Sequence, residues 1–292
     1  MKFAERSEID IERWNALVAK EQHVLLFSYS WYLDAVAENW CILVDDNYTK
    51  GIALPYTKRM GVEILYVPIF SRSSQFIGTY TNNDVALIKQ RFRAIELATT
   101  TNMFNSQTTR VHQTITNFEH RKLSSQAKRS LKKAVNSGVS VTDNDSFAGI
   151  MTAIEQELQG KFKGVDAERI SGLKKLFQSA QKEGCLKVFE VSDGEETGGI
   201  VCLVDESQIL YLKGACPDSL KKKGGMYFAL NVAIEFAQKN GLKFDFGGSN
   251  VKGVQRFNKN LGGVDQPYFF YESNKAPVWF RLARKFKNRL NR

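Results

Sequence analysis

A carboxylate at the end of a strand-like run is the first candidate for chemistry in this chain of 292 residues. Phe244 and Phe246 alternate in the run 242–246, so they point to one face and Asp245 points to the other. A carboxylate near the end of a central strand needs a partner or a function. Asp245 could orient an attacking amine or accept its proton. Alternatively, it could be a structural acceptor for nearby backbone N–H groups or for a lysine.

A basic, glycine-containing loop before a long predicted helix is the second candidate. Glycine lets a ligand approach the backbone closely, and the free N–H groups at a helix start favour an anion. The loop could therefore hold the pyrophosphate of coenzyme A or the phosphates of a tRNA end. The alternative is a solvated basic turn with a glycine bend. The residues concerned, with the helix expected to begin near the last of them, are Lys213, Lys221, Lys222, Lys223, Gly224, Gly225 and Met226.

The segment that follows Asp245 resembles the signature of a known family. The run DFGGSNVKGVQRFNKNLGG is similar to the D-F-x-G-S/I … G-x-x-R-F-x-K-x-F-G pattern of the Fem-like branch of the GNAT acyltransferase superfamily. That branch includes the Fem peptidoglycan aminoacyltransferases. LSSQAKRSLKKAVNSGVSV resembles the basic helix before the family's second domain, and SYSWYLDAVAENW and GIALPYTKR resemble segments nearer its start. The resemblance touches nearly the whole chain.

The resemblance implies a set of catalytic residues and a class of donor. It places Asp245, Arg256 and Lys259 at signature positions. It implies that Lys259 lies near the donor or the oxyanion, where a fixed cation stabilises developing negative charge. Acyl-coenzyme A or an aminoacyl-tRNA is then the expected donor substrate, with no tightly bound cofactor. The family's acetyl-coenzyme A loop pattern is not cleanly present in LKKKGGMY, which leaves the choice of donor open.

The histidines and cysteines predict neither a metal site nor a covalent nucleophile. They share no ligand spacing, and buried free thiols are the expected state of the cysteines. Direct attack by an amine on an ester or thioester needs positioning, an oxyanion donor and a proton acceptor, but no nucleophilic side chain. The residues are His23, His112, His120, Cys41, Cys185, Cys202 and Cys216.

Hydrophobic periodicity in the second half of the chain predicts an α/β arrangement around these candidates. Three consecutive strand-like runs joined by turn residues predict an antiparallel meander. The expected helices are 123–137, 147–158, 170–180, 226–239 and 251–260, and the expected strands are 139–141, 185–191, 199–204, 208–215, 242–246 and 267–271.

The first half repeats this order of elements, and its length fits a second domain. Helices are expected near 10–20 and 30–38, strands at 40–45, 51–57 and 62–67, a helix through Val85, Ile88, Phe92 and Ile95, and strands near 101–107 and 110–116. The predicted fold class is α/β (α+β), with two tandem GNAT-like domains, each a mixed, mostly antiparallel sheet flanked by helices. The predicted bounds are 1–118 and 119–275, the latter with the donor site, followed by a basic amphipathic helix, 276–292.

Positive charge is concentrated at the end of this sequence. The net charge is +10, and residues 276–292 contain six Lys or Arg and no acid. Trp279, Leu282, Phe286 and Leu290 recur there at near-helical spacing. Such a helix is typical of contact with an anionic membrane or with RNA, although it could also dock on the protein itself. We expect a cytoplasmic protein, with peripheral membrane association as an alternative, because no signal-like or membrane-spanning run occurs.

Three functions are compatible with these patterns. The first is an acyl- or aminoacyltransferase acting on an amine of a cell-wall or surface-glycan precursor. The second is a non-catalytic GNAT-like scaffold that binds a ligand or a partner protein, which the weak donor loop favours. The third is nucleic-acid binding alone, which lacks the aromatic and basic interleaving that base stacking needs. The expected partners are a small-molecule or precursor substrate and, with the first function, tRNA.

Overall fold

The computed structural model describes residues 1–21, 25–161, 167–282 and 284. The chain divides into two compact units, Met1–Arg110 with Pro267–Arg292, and Val111–Gln266. The predicted domain bounds, 1–118 and 119–275, stay a prediction. The compact units differ from these bounds because residues from Pro267 onward belong to the first unit. Of the predicted terminal helix, residues 283 and 285–292 lie outside the described residues, as does His23.

The strands and helices follow in chain order. The strands are β1 (Lys2–Glu5), β2 (Asn39–Val44), β3 (Gly51–Arg59), β4 (Val62–Tyr66), β5 (Phe76–Ile77), β6 (Ala94–Thr99), β7 (Thr108–Ile115), β8 (Ser140–Asn144), β9 (Leu186–Ser192), β10 (Thr197–Val204), β11 (Gln208–Ala215), β12 (Lys243–Asp245) and β13 (Val264–Asn274). The helices are α1 (Ile11–Ala19), α2 (Ser30–Val36), α3 (Asn82–Arg91), α4 (Ser125–Asn136), α5 (Ala148–Lys161), α6 (Ala167–Lys182), α7 (Asp218–Lys222), α8 (Gly225–Lys239) and α9 (Lys252–Asn260). No helix among the described residues is long and apolar enough to cross a bilayer.

The first unit is a mixed sheet with apolar side chains on both faces. β1, β2, β3 and β4 pair antiparallel in sequence order, β4 runs parallel to β6, and β6 pairs antiparallel with β13. Alternate residues of β2 point to opposite faces. Leu43 therefore joins a cluster with Ile88 and Phe92, while Ile42 joins one with Trp14. Both faces of this strand are buried, which explains its continuous apolar run.

One predicted boundary in the first half is wrong. Residues 101–107 are not a strand; the strand is β6, and it contains Ile95, which was predicted to be helical. α3 ends at Arg91, and Phe92 has extended dihedrals (φ −99°, ψ 107°). A short apolar run fits a helix or a buried strand equally well from periodicity alone. Pairing with β4 and β13 decides between them here. β1 and β5 were also not predicted.

A reciprocal cap fixes the start of α3. The Thr81 hydroxyl accepts a hydrogen bond from the Asp84 N–H at 3.3 Å, and the Asp84 carboxylate accepts one from the Thr81 N–H at 2.8 Å. Thr81→Ala should lower the free energy of unfolding by about 1 kcal/mol, measured by urea denaturation. Thr79→Ala, at an exposed position of the same loop, is the control. An equal loss in both variants would contradict a role for the cap.

The contribution of this cap depends on pH in a defined direction. Burial opposes ionisation of Asp84, but hydrogen bonds from Thr81 and the charge of Lys50 together lower its pKa. A lowered folded-state pKa gives stabilisation that is present above the ordinary carboxyl pKa of about 4. That stabilisation is lost as the pH falls through the folded-state pKa.

The second unit confirms the predicted meander. β8, β9, β10 and β11 pair antiparallel in sequence order. β11 runs parallel to β12, and β12 pairs antiparallel with β7. α8 covers one face through Leu230 and Ile234, which join Phe189, Ile200 and Phe244 in the core. The predicted helices of this half are confirmed as α4, α5, α6, α8 and α9.

Candidate active site

Asp245 forms a buried pair with His112, for which the sequence predicts no catalytic role. The Asp245 side chain is 0% exposed. Its Oδ1 lies 3.3 Å from Nδ1 of His112 and accepts a hydrogen bond from the Gly247 N–H at 2.9 Å. Asp245 pairs across strands with Thr114, and His112 lies two residues away on the same face of β7. A carboxylate bonded to one imidazole nitrogen fixes the orientation of the ring.

A substrate cannot touch Asp245 directly in this structure, because the side chain is fully enclosed. The prediction that Asp245 orients an attacking amine or accepts its proton is not tested by the structure, and any such role would be exerted through His112. His112 is 133 residues away in the sequence, so ligand spacing could not reveal the pair. The only available signal was the alternation of His112 and Thr114 on one face of a predicted strand at 110–116.

Gln113, the residue after His112, points to the opposite face of β7 and bonds to α9 and to Asp265. Its Nε2 donates to Oδ1 of Asp265 at 2.8 Å, and its Oε1 accepts from Nδ2 of Asn258 at 2.9 Å. Asp265 Oδ2 in turn accepts from Nζ of Lys259 at 2.6 Å. Burial opposes ionisation of Asp265, but the hydrogen bonds from Lys259 and Gln113 lower its pKa. Lys259 is thus held at a fixed place by a network that reaches the core.

The outer face of α9 is cationic. Lys252, Arg256 and Lys259 are spaced by four and three residues, so they lie along one side of the helix. Arg256 is exposed and has no acidic partner within the described residues. Phe257 packs on Tyr227 of α8, with ring centroids 4.5 Å apart, which fixes the helix. The structure therefore brings Arg256 and Lys259 together on α9, which Gln113 contacts from the face of β7 opposite to His112 and Asp245.

The predicted donor segment differs from an open basic loop. Residues Asp218–Lys222 form α7, and α8 begins at Gly225, one residue before the predicted start. Gly224 has φ +91°, and a Cβ there would lie 2.3 Å from the Ser130 carbonyl oxygen. This glycine is therefore required by the close approach of α4, irrespective of any ligand.

Most lysines of this segment already have acidic partners. Lys223 lies 2.6 Å from Asp193, and hydrogen bonds from Lys223 and backbone N–H groups hold the pKa of Asp193 far below its ordinary value. Lys213 and Lys221 lie 3.2 and 3.4 Å from Glu157. Lys222 is exposed and, within the described residues, makes no ion pair.

The parallel strands β11 and β12 diverge at Asp245. They share only the pairs Gln208–Lys243, Ile209–Phe244 and Leu210–Asp245, whereas β11 continues to Ala215. Gly247 has φ +78°, and a Cβ there would lie 2.4 Å from the Tyr211 carbonyl oxygen. Among the described residues, the part of β11 after Leu210 has no strand partner on the edge where β12 pairs with its first residues. Ligand sites of open α/β sheets lie outside the carboxyl ends of parallel strands.

Several predicted residues border this divergence. Lys213 lies on the unpaired part of β11, and Met226 at the start of α8 contacts Gly214, where an added Cβ would meet its methyl carbon at 3.0 Å. Tyr211, which no sequence pattern indicated, lies at the same point of β11, and burial and the charge of Glu157 raise its pKa. Gly225 packs on Leu220 and Cys216 instead.

The cysteines are mostly buried, and no cluster of potential metal ligands occurs among the described residues. Cys41, Cys202 and Cys216 are buried, as expected, and Cys185 is half-buried. Burial raises the pKa of the Cys216 thiol to about 12, which disfavours the reactive thiolate. Among residues 1–21, 25–161, 167–282 and 284, no group of three or more His, Cys, Asp or Glu side chains could hold a metal ion.

Solved structures share this architecture over nearly the whole chain. FemX matches with a TM-score of 0.64 and 13% identity, covering 94% of this chain and 98% of the other. L-PGS from Bacillus licheniformis matches with a TM-score of 0.54 and 12% identity over 94% and 95%. A tandem GNAT protein from the clavulanic acid biosynthesis pathway matches with 0.52 and 8% over 95% and 99%.

Sequence comparisons give no further assignment. No protein-family model and no curated protein matches the chain. At these low identities the structural similarity establishes the fold and leaves the activity open. The chain is thus similar in fold to FemX and to a tandem GNAT protein, which agrees with the fold that the signature around Asp245 and Lys259 implies.

Proposed function

We propose that this protein is an N-acyltransferase or aminoacyltransferase that moves an acyl or aminoacyl group from an ester or thioester donor to an amine. The observation that carries the proposal is the Asp245–His112 pair at the divergence of β11 and β12. Gln113, which follows His112 in β7, bonds to Asp265, the partner of Lys259 on α9. The Fem-like signature and the shared fold agree with the proposal.

Each group has a defined task in such a transfer. The amine nitrogen bonds to the donor carbonyl carbon, and its proton passes to His112, whose ring Asp245 orients. Negative charge develops on the carbonyl oxygen, where Lys259 and Arg256 would stabilise it. The C–O or C–S bond to the leaving group then breaks, and the proton on His112 returns to that group. Asp265 holds Lys259 so that little reorganisation is needed.

The distribution of cations favours aminoacyl-tRNA over coenzyme A as the donor. The lysines beside the start of α8 are largely neutralised by Asp193 and Glu157. α4 instead presents a row of exposed cations with no acidic partner in the described part of the chain: Lys128, Arg129, Lys132 and Lys133. A row along a helix matches the repeated phosphates of a nucleic-acid backbone. A pyrophosphate would need a compact cradle.

The acceptor that we propose is an amine of a cell-wall or surface-glycan precursor. The support is the resemblance of the segment 244–263 to the signature of the Fem peptidoglycan aminoacyltransferases. The alternative is a non-catalytic scaffold that binds such a ligand or a partner protein. The neutralised lysines near α8 favour this alternative, because they weaken the expected donor site.

A transfer assay separates the two functions. The purified protein would be incubated with tRNA charged with radiolabelled amino acids, or with labelled acetyl-coenzyme A, together with an extract of nucleotide- and lipid-linked cell-wall precursors. Acid-stable label on a precursor that disappears with His112→Ala supports transferase activity. Saturable tRNA binding without any transfer from either donor would favour the scaffold.

The choice of donor gives a specific prediction for α4. Replacing Lys128, Arg129 and Lys132 together with Gln should weaken tRNA binding at least about tenfold and reduce the slope of log affinity against log salt by about three. Fluorescence anisotropy with labelled tRNA measures both. The matched control removes the same charge from Lys175, Lys182 and Lys239, which are exposed elsewhere in the second unit. Equal losses in the two triple variants would reject α4 as the tRNA surface.

A further inference from the structure

The segment after β13 packs against the first unit through a buried aromatic side chain, Phe280. Residues 278–282 are helical. Phe280 is 1% exposed and packs with Ile64, Ala94 and Ala276, next to Val62. Burial of a phenylalanine in this way stabilises the attachment by about 2 kcal/mol. The orientation of the segment is therefore set by the protein core.

The same attachment leaves three large apolar side chains in solvent. Val278 is 60% exposed, Trp279 is 54% exposed and Leu282 is 52% exposed. Single exposed apolar residues are normal on protein surfaces. Three within five positions of one segment, a tryptophan among them, form an exposed apolar patch of the kind that marks interaction sites. We call Val278, Trp279 and Leu282 the apolar patch.

The charged side chains of the segment that carries the apolar patch are all positive. Arg281 is exposed and, in the described part of the chain, has no acidic partner. Arg284 is bonded to Glu96 at 2.7 Å. From Lys275 onward the printed sequence contains no Asp or Glu, whereas Lys and Arg recur throughout. The side chains Phe286 and Leu290, which the sequence analysis grouped with Trp279, lie outside the described residues.

We propose that the apolar patch binds the surface of a bilayer that contains anionic phospholipids. Trp279 suits the headgroup level, where the amphipathic indole is favoured. Val278 and Leu282 would enter the acyl boundary, and Arg281 would contact lipid phosphates. RNA could neutralise the cations but would leave the two aliphatic side chains without an apolar environment. Docking at the membrane is independent of the transfer chemistry proposed for the second unit.

Co-sedimentation of the full chain with vesicles tests the proposal. Binding is expected to phosphatidylcholine vesicles that contain phosphatidylglycerol, and to be much weaker with phosphatidylcholine alone. Trp279→Ser with Leu282→Ser should lower the partition coefficient at least about tenfold, because two apolar side chains lose their burial. Arg281→Gln should lower it about fivefold through the lost lipid contact. Circular dichroism of each variant checks that the protein remains folded.

Val135→Ser is the matched control. Val135 is 62% exposed on α4, another cationic helix, so this variant keeps the apolar patch intact. It should bind vesicles as the unmodified protein does. Vesicle binding that survives Trp279→Ser with Leu282→Ser, or that falls as much with Val135→Ser, would overturn the proposal. So would vesicle binding that is indifferent to phosphatidylglycerol and to Arg281.

Discussion

An alanine at position 224 is expected to lower the free energy of unfolding by about 3 kcal/mol. Gly224 has φ +91°, a left-handed conformation that costs an L-residue about 1 kcal/mol. A Cβ there would also lie 2.3 Å from the Ser130 carbonyl oxygen, which belongs to the backbone of α4 and cannot rotate away. Urea denaturation followed by circular dichroism measures the loss.

Gly241→Ala separates the two causes. Gly241 follows the other end of α8 with φ +68°, and an added Cβ meets no atom within 4 Å. This variant should therefore lose only the backbone contribution of about 1 kcal/mol. If both variants lost the same stability, the close approach of α4 would not be what demands glycine at 224.

The comparison of Gly224→Ala with Gly241→Ala also tests whether Gly224 takes part in donor binding. If Gly224 served to bind a phosphate group, the Gly224→Ala variant would fold normally but would bind the donor more weakly. If Gly224 is instead required by the close approach of α4, the variant should be destabilised. Measuring tRNA affinity on the folded fraction of Gly224→Ala therefore distinguishes the packing role from the ligand role that the sequence pattern suggested.

Lys259→Ala is expected to reduce turnover about 10²–10³-fold, the usual effect of removing one group that stabilises an oxyanion. Its effect on the free energy of unfolding should stay below about 1 kcal/mol, because the Lys259–Asp265 pair is largely exposed. The measurement is the initial rate of label transfer at saturating donor, alongside a urea melt. Lys252→Ala is the matched control, since this lysine lies on the same face of α9.

Asp265→Asn gives an intermediate case. The lysine keeps its charge but loses the partner that holds Nζ at 2.6 Å. Turnover should fall less than in Lys259→Ala, because the cation is present but no longer pre-positioned. Unchanged turnover in Lys259→Ala together with a lower melting temperature would show that the pair is structural.

Local patterns were sufficient for most of the fold. Helices with a clear apolar stripe, such as α5 and α6, and turns such as Asp193–Gly194 were predictable because their signals lie within a few residues. β6 was assigned to the wrong segment because Ile95 sits in a short apolar run of ambiguous period. Its pairing with β4 and β13 is decided by residues far away in the sequence.

The candidate site was predictable only in part, for the same reason. Asp245, Arg256 and Lys259 are close in sequence and were found together. His112 and Gln113 reach them through the pairing of β7 with β12 and through hydrogen bonds to Asn258 and Asp265. The lysines near α8 look available in sequence, but Asp193 and Glu157, which neutralise them, come from other elements.

The first unit is built from two segments that are far apart in the sequence, and this has a consequence for biosynthesis. β6 has one edge paired with β4, and its other edge is completed by β13, which the ribosome delivers more than 160 residues later. Until then, a strand edge of the nascent chain is open to wrong partners. The second unit lies entirely within that interval and can complete its own sheet first. The sheet of the first unit can therefore be completed only after almost the whole chain has been synthesised.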